Sequence, residues 1–255
     1  MRRPIALVEP GEHTNTVLRA MGGEALERLR LRPVKFDVGY ELEYPGKPIE
    51  RVFFVETGMA SITTTFADGE QVEVGMFGFE GIVGVSALMG TKRSLNRVYT
   101  QIAGTGFWTP VESARLEFAR GGVFQTLALG YVQSQLLQAM QSAGCNARHS
   151  LEQRLARWLL ICADRANSSS FELSQEYLAL MLGATRSTVS GAAGALKASG
   201  LVSYQRGKLR ILDAAGLEKR ACECYLTIKN HLDNCAEFDT SFDSGAPWRE
   251  GGSLR

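Results

Sequence analysis

The stretch of sequence that decides the fold covers residues 173–211 and reads LSQEYLALMLGATRSTVSGAAGALKASGLVSYQRGKLRI. Ser174 stands at an N-cap position with Leu173 before it and Leu178 after it, and this hydrophobic staple marks the start of a helix. The apolar residues that follow extend the helix to about Leu182. The stretch therefore opens with one short helix that carries its own start signal.

A second short helix follows across a glycine turn. Gly183 supplies the turn because glycine adopts a positive φ without steric cost. Thr185 is placed as the next N-cap, and Gly200 marks the end of the helix. Ala179, Gly183 and Val189 have the spacing that a helix-turn-helix requires, with a small residue where the helices cross and a β-branched residue that packs between them.

Short polar and basic side chains fill the first turn of this second helix, and residues 204–210 alternate as a tight basic hairpin, or wing. Such groups suit phosphates and base edges. The predicted DNA contacts are Thr185, Arg186, Ser187, Thr188, Ser190, Gly191, Lys197, Arg206 and Lys208. An ordinary two-helix hairpin in an α/β core is the alternative. The charge distribution favours DNA, because residues 148–220 hold 11 Lys and Arg against 6 Asp and Glu, whereas residues 1–147 hold 14 against 15.

Composition limits the class of protein. At 255 residues, with 45% apolar and 22% charged residues, the chain is expected to form one or two soluble globular domains. No apolar run approaches the ~18 residues of a transmembrane helix, and the first residues lack the layout of a secretory signal. Five cysteines, an odd number without framework spacing, fit a reducing compartment. We expect a cytoplasmic protein with no membrane partner.

The pattern before the helix-turn-helix changes from strands to a long helix. Residues 29–110 show strands at short spacing with turn signals such as Asp68–Gly69, which predicts a small barrel or roll. Over residues 116–147 apolar residues recur at three and four, which predicts one long helix. Its apolar stripe could pack within its own domain, but a helix that bridges a roll and a DNA-binding module favours a dimer seam. The predicted dimer interface comprises Val132, Leu136, Met140 and Ala143.

This order of a β-roll, a long helix and a winged helix-turn-helix resembles the Crp/Fnr family of bacterial transcription regulators. The likeness covers about residues 20–215 and is most specific over residues 149–211. It implies an α+β chain with an N-terminal double-stranded β-helix, which is a jelly-roll-like β-roll. The expected parts are an irregular leader (1–20), a cyclic-nucleotide-binding-like roll (21–115), a dimerisation helix (116–147), the winged helix-turn-helix (148–215), a C-terminal helix (216–236) and a disordered tail (237–255).

The resemblance also implies a homodimer whose roll senses a small molecule, here an unknown effector. Its two second helices would enter successive major grooves of a palindromic double-stranded operator, with RNA polymerase as a further partner. Family members often read a guanine with an arginine in the first turn of the recognition helix, and Arg186 stands there. The acidic and second basic positions of the catabolite-activator branch are Ser187 and Gly191 here, so a different DNA target is expected.

The sensor half departs from the cyclic-nucleotide members of the family. Those members hold ribose and phosphate with a glycine–glutamate pair and a later arginine–serine pair. A glycine-rich segment before a helix can bind an anion, and the candidate ligand-binding residues are Gly78, Glu80, Gly81, Arg93 and Ser94. However, the glutamate here precedes its glycine, and the purine-contacting positions of the long helix are Ala139 and Met140. We therefore expect a glycine-bent roll that binds no cyclic nucleotide.

No other cofactor is predicted. The iron–sulfur branch of the family uses an N-terminal cysteine cluster, and no cysteine precedes Cys145, so we expect no iron–sulfur cluster. His13 is poorly placed as a haem ligand, and His149 is assigned to the hinge between domains.

Four residues near the C-terminus invite a separate assessment: Cys222, Cys224, His231 and Cys235. They could form a metal set or a redox sensor. On a continuous helix, however, Cys222 would point away from the apolar face that carries Cys224. Buried free cysteines explain the pattern more simply, and no metal ligand is predicted.

These observations predict a sequence-specific DNA-binding transcriptional regulator and no enzyme. With three histidines and no phosphate-binding loop or nucleophile motif, the sequence offers no catalytic constellation. Two alternatives remain: a regulatory module that binds a ligand and acts by protein contact, with a decayed DNA domain, and a cysteine-based redox or metal sensor. Arg186 and the basic wing of Arg206, Lys208 and Arg210 favour the DNA-binding interpretation.

Overall fold

A computed structural model describes residues 13–205 and 207–234. The N-terminal half is a β-roll of two antiparallel four-stranded sheets. Its strands are β1 Arg32–Phe36, β2 Glu41–Glu43, β3 Arg51–Val55, β4 Met59–Thr65, β5 Gln71–Phe77, β6 Ile82–Val83, β7 Arg97–Ile102 and β8 Gly104–Pro110. One sheet has the order β1-β8-β3-β6 and the other β2-β7-β4-β5. The predicted Asp-Gly turn joins β4 to β5, and Gly69 has φ +85°.

Helices cover both ends of the roll. They are α1 Thr16–Ala20 and α2 Gly23–Leu29 before it, a 3-10 helix at Val85–Met89 within it, and α3 Val111–Ala119 and α4 Val123–Arg148 after it. The expected leader is therefore not irregular to residue 20, because the Asn15 side chain caps α1 by accepting from two backbone N–H groups. Phe36 and Phe54 of the strands and Phe124 of α4 are fully buried in one core. The beginning of α4 thus belongs to the roll.

The C-terminal half is a winged helix-turn-helix with two further helices. Its elements are α5 Leu151–Ala166, β9 Ser170–Glu172, α6 Gln175–Leu182, α7 Arg186–Ala198, β10 Val202–Gln205, β11 Lys208–Ile211, α8 Ala214–Arg220 and α9 Cys224–Asn234. Ser150 and Gln153 form a capping box at the start of α5. The strands form an antiparallel sheet of order β10-β11-β9. Leu155, Leu178 and Leu196, from α5, α6 and α7, meet in the core of this half.

Two helices expected to be continuous are each broken. The predicted helix over residues 116–147 is α3 followed by α4, because Gly121 between them has φ +72°, which ends the first helix. The predicted helix over residues 216–236 is α8 followed by α9, because the backbone at Ala221 is extended (φ −67°, ψ 158°). The expected disordered tail lies outside the described residues. Within the described part of the chain, no helix is long and apolar enough to cross a membrane.

The two halves share a packed and partly charged interface. Met59 and Met76 of the roll belong to the core of the DNA-binding half. Trp158 of α5, only 2% exposed, donates its indole N–H to the carboxylate of Glu73 on β5 at 2.8 Å. Glu73 also accepts from the Ser61 hydroxyl at 2.6 Å. Burial raises the pKa of Glu73 to about 7, although these two hydrogen bonds act to lower it.

Candidate nucleic-acid interface

The helix-turn-helix is held by the local signals that the sequence carries. Ser174 caps α6 by accepting from the Tyr177 backbone N–H at 3.0 Å. Gly183 ends α6 with φ +57°, and Thr185 caps α7. Val189 is completely buried between the helices. The inner face of α7 is therefore fixed by packing, which leaves its outer face to solvent.

The outer face of α7 carries the predicted DNA contacts. Eight of the nine residues are exposed in the structure: Thr185, Arg186, Ser187, Thr188, Ser190, Gly191, Lys197 and Lys208. The ninth, Arg206, lies outside the described residues. Thr188 also donates its backbone N–H to the Thr185 hydroxyl, which satisfies one of the free N–H groups at the helix start. The N-terminus of α7 thus presents hydroxyls, a guanidinium and the positive end of a helix dipole on one surface.

Arg186 forms an ion pair that the sequence does not reveal. Its guanidinium lies 2.8 Å from the carboxylate of Glu176 on α6. The Glu176 carboxylate accepts a hydrogen bond from the backbone N–H of Glu176 itself, and this bond and the charge of Arg186 lower the pKa of Glu176. The carboxyl is therefore ionised at neutral pH. Both side chains are more than half exposed, and such a surface pair is weak. The pair therefore holds Arg186 only loosely at the start of α7.

The wing places a second cation beside the recognition helix. Lys208 begins β11 and lies 3.6 Å from the exposed carboxylate of Glu172 on β9. The Tyr204 hydroxyl donates to the Leu173 carbonyl at 2.8 Å and so ties the wing to the start of the helix-turn-helix. Gly207 has φ +78° at the hairpin turn. The described part of the wing is thus tied to the start of the helix-turn-helix and carries a charged edge.

The predicted dimer residues lie on an exposed apolar face of α4. Leu136 is 59% exposed and Met140 is 55% exposed. Ala143 is exposed as well, and Val132 is half-buried. Leu129 continues the face by one turn. The opposite side of α4 is buried, against the roll near its start and against α9 and the cysteines beside it near its end, so two distinct faces run along this helix.

The predicted ligand residues do not gather around one cleft. Glu80 pairs with Arg165 of α5 at 2.8 Å, and both side chains are almost fully buried. A Cβ on Gly78 would come within 2.6 Å of the Arg165 side chain, so that arginine fills the space beside the glycine-rich segment. Arg93 donates instead to the Gly46 carbonyl at 2.6 Å, and Ser94 donates to Glu43. Gly81 donates its backbone N–H to the Gly78 carbonyl within the same turn.

The cysteines are arranged differently from the expectation of a continuous helix. Because the chain leaves the helix between α8 and α9, Cys222 and Cys224 are both buried against Cys145 at the end of α4. The prediction that Cys222 points away is therefore wrong. His231 contacts the Ser134 hydroxyl at 3.2 Å instead, and Cys235 lies outside the described residues. His149 is at the hinge, as expected, immediately after α4.

Comparison with known proteins agrees with this geometry. Residues 153–220 match the family model of the Crp-like helix-turn-helix domain. The global nitrogen regulator of Synechococcus elongatus is 26% identical over 219 residues, which cover 80% of this chain and 95% of that protein. The fold resembles FixK2 of Bradyrhizobium japonicum (TM-score 0.63, 18% identity, 75% of this chain and 98% of that one). It also resembles a Crp/Fnr-family regulator of Thermus thermophilus (TM-score 0.61, 21% identity, 74% and 98%).

An exposed basic recognition helix, a wing and a family-model match over the same residues define a winged helix-turn-helix DNA-binding protein. The antiparallel roll and long helix that precede this domain complete the architecture of the matched regulators. The chain is a DNA-binding transcriptional regulator whose residues 153–220 match the Crp-like helix-turn-helix domain and whose sequence and fold are similar to those of the regulators named above.

Proposed function

We propose that the chain acts as a homodimer that binds a palindromic operator through two copies of α7. The observation that carries this proposal is the apolar face of α4, with Leu129, Leu136 and Met140 about half exposed. A 26-residue helix is about 39 Å long. Packed against its own copy about a two-fold axis, it would bury this face in a self-complementary contact. The same axis would relate the two recognition helices.

Within each half-site, α7 and the wing would have different tasks. Arg186 stands in the first turn of α7, and a guanidinium can donate two hydrogen bonds to guanine O6 and N7. Its weak pair with Glu176 would be exchanged for the base. Lys208 would contact a phosphate, which carries no base identity. Arg206, whose position lies outside the described residues, remains a predicted phosphate contact.

The roll would transmit a signal to the DNA-binding half through their interface. A cavity of about 710 Å³ lies between the halves, with Phe79 and Glu80 of the roll on one side and Asp164 and Ile228 on the other. This volume is within the range of small-molecule sites, which often lie between domains. We propose that the unknown effector binds there and that cAMP is not the effector, because Arg165 already pairs with Glu80 beside the glycine-rich segment. Calorimetry that detects micromolar cAMP binding would contradict this.

A DNA-binding regulator would act in the cytoplasm, where the chromosome lies, and RNA polymerase would be its further partner at promoters.

The test of the DNA-binding proposal is selection of bound fragments from a random duplex library by the purified chain. We expect the enriched fragments to share a two-fold symmetric motif whose half-site centres are one helical turn, about 34 Å, apart. Enrichment of a single asymmetric half-site would refute the dimeric arrangement, and no enrichment would refute sequence-specific binding.

A further inference from the structure

Four side chains with metal-binding atoms meet where the long helix joins the DNA-binding half. Cys145 is in the last turn of α4, and His149 is the first residue after that helix. Their spacing of four places them on one face, and the His149 backbone N–H donates to the Cys145 carbonyl at 3.0 Å. Cys222 lies in the link between α8 and α9, and Cys224 is the first residue of α9. The sequence separates the two pairs, and only the tertiary fold unites them.

Two of the distances between these ligand atoms match those around a single tetrahedral ion. The four ligand atoms all lie within 4.8 Å of one another. The Cys145 and Cys222 sulfurs are 3.5 Å apart, and the Cys224 sulfur is 3.6 Å from Nδ1 of His149. Tetrahedral zinc, with Zn–S about 2.3 Å and Zn–N about 2.05 Å, sets its ligands about 3.8 Å (S to S) and about 3.6 Å (S to N) apart. The same spacing leaves no room for a multi-iron cluster.

The surroundings also resemble those of a metal site. A metal-bound histidine usually donates the N–H of its second ring nitrogen to a carboxylate, a carbonyl or a water. Nε2 of His149 lies 3.2 Å from the carboxylate of Glu223. The Gln141 amide donates to the Cys224 sulfur at 3.0 Å. Burial raises the pKa of the Cys145 thiol, and the nearby Arg157 guanidinium opposes this by favouring the thiolate. That cation would balance the single negative charge of three thiolates, one imidazole and a divalent ion.

We propose that Cys145, His149, Cys222 and Cys224 form a tetrahedral site for a divalent zinc ion. Three cysteines and one histidine are a ligand set that structural zinc sites use, with no position open for water. All three thiols are at most 3% exposed, which suits a closed site. The bound ion would fasten the end of α4 and the hinge residue His149 to the α8–α9 link of the DNA-binding half. The site would thus fix the orientation of the recognition helix α7 relative to α4, the proposed dimer helix.

The test is the zinc content of the full chain. The purified protein is stripped with a chelator in a phosphine reductant, supplied with Zn²⁺ and dialysed, and its metal is measured by mass spectrometry. We expect about one Zn²⁺ per chain, and less than about a tenth of that in Cys145→Ser and in Cys222→Ser. Cys162→Ala is the matched control, because Cys162 is a buried cysteine on α5 outside the set. It should retain the ion.

Two further measurements keep the proposal testable if a ligand variant does not fold. Co²⁺ added to the stripped wild-type chain should give the visible absorption of tetrahedral cobalt and a thiolate charge-transfer band, both removed by Zn²⁺. Glu223→Gln, which alters no ligand, should weaken Zn²⁺ binding about 10- to 100-fold. An octahedral cobalt spectrum would overturn the proposal. So would equal zinc in the wild-type chain and Cys145→Ser, or a Cys145–Cys222 disulfide that persists in place of zinc. None of these readouts depends on DNA binding.

Discussion

Replacing Glu73 with glutamine should stabilise the folded chain, and the gain should grow with pH. Glu73 lies at the interface between the roll and α5, where burial raises its pKa from 4.5 to about 7. Because a tenfold change in proton affinity is worth about 1.4 kcal/mol, ionised Glu73 costs the folded state up to about 3 kcal/mol. Glutamine keeps an oxygen that can accept from the Trp158 indole but carries no charge. It therefore removes this cost.

The stability of the wild-type chain falls with pH because the folded chain holds the Glu73 proton more tightly than the unfolded chain does. Between about pH 4.5 and about pH 7 the folded chain keeps the Glu73 proton that the unfolded chain has released, so raising the pH lowers the stability of the wild-type protein. The stability that comes from the tightly held Glu73 proton is fully present below about pH 4.5 and is lost as the pH passes about 7. The advantage of Glu73→Gln over the wild type should therefore increase by about 2 kcal/mol between about pH 5.5 and about pH 8.

Urea unfolding followed by tryptophan fluorescence measures this difference, since Trp158, one of the three tryptophans, is buried at the same interface. Glu70→Gln is the matched control because Glu70 is an exposed carboxylate just before β5. It should leave the free energy of unfolding at both pH values nearly unchanged. A difference between Glu73→Gln and the wild type that is the same at both pH values would refute the argument, because Glu73 would then not carry a proton near neutrality.

Three other substitutions test separate parts of the molecule. Leu136→Glu should convert the proposed dimer to a monomer in sedimentation velocity, because it would place two unpaired carboxylates at the two-fold axis at a cost of several kcal/mol. Glu80→Gln leaves the buried guanidinium of Arg165 without its carboxylate and should lower the free energy of unfolding by about 3–5 kcal/mol in urea titrations. Glu176→Gln frees Arg186 and removes an anion near the DNA, so operator affinity should rise severalfold in fluorescence anisotropy titrations.

Each of these predictions has an outcome that contradicts it. Leu116→Glu is the control for the dimer, since Leu116 is an exposed leucine on α3, and a similar loss of dimer there would mean that α4 is not the seam. Unchanged stability of Glu80→Gln would mean that the Arg165 pair contributes nothing. Weaker operator binding by Glu176→Gln would show that Glu176 itself makes a useful contact.

The helix-turn-helix could be predicted closely because its signals are local. The caps at Ser174 and Thr185, the turn at Gly183 and the buried Val189 depend on a few neighbouring residues, and each is where the sequence pattern places it. The exposed apolar face of α4 also followed from periodicity alone. The break at Gly121 did not, because an apolar period continues across a glycine whether or not the helix does.

The buried polar pairs that join distant parts of the chain could not be predicted from the sequence, for a physical reason. Glu73 meets Trp158, and Glu80 meets Arg165, across 85 positions in each case. No periodicity marks such pairs, and a charged residue in a strand or helix pattern is normally assigned to solvent. The cysteine cluster does not follow from the sequence pattern either, because the pattern predicts a continuous helix where the chain bends at Ala221. A non-helical link was needed to place Cys222 beside Cys145.

The most direct test of the central claim compares the base preferences of two DNA-contact variants. Operator variants that differ at each position are ranked by affinity for the wild-type chain, Arg186→Ala and Lys208→Ala at several salt concentrations. Arg186→Ala should lose about 1–3 kcal/mol of discrimination at one base pair in each half-site. Lys208→Ala should weaken all variants alike and lower the salt slope by about one for each phosphate that the lysine no longer neutralises. If Arg186→Ala leaves the ranking of the operator variants unchanged, α7 is not the helix that reads the DNA sequence.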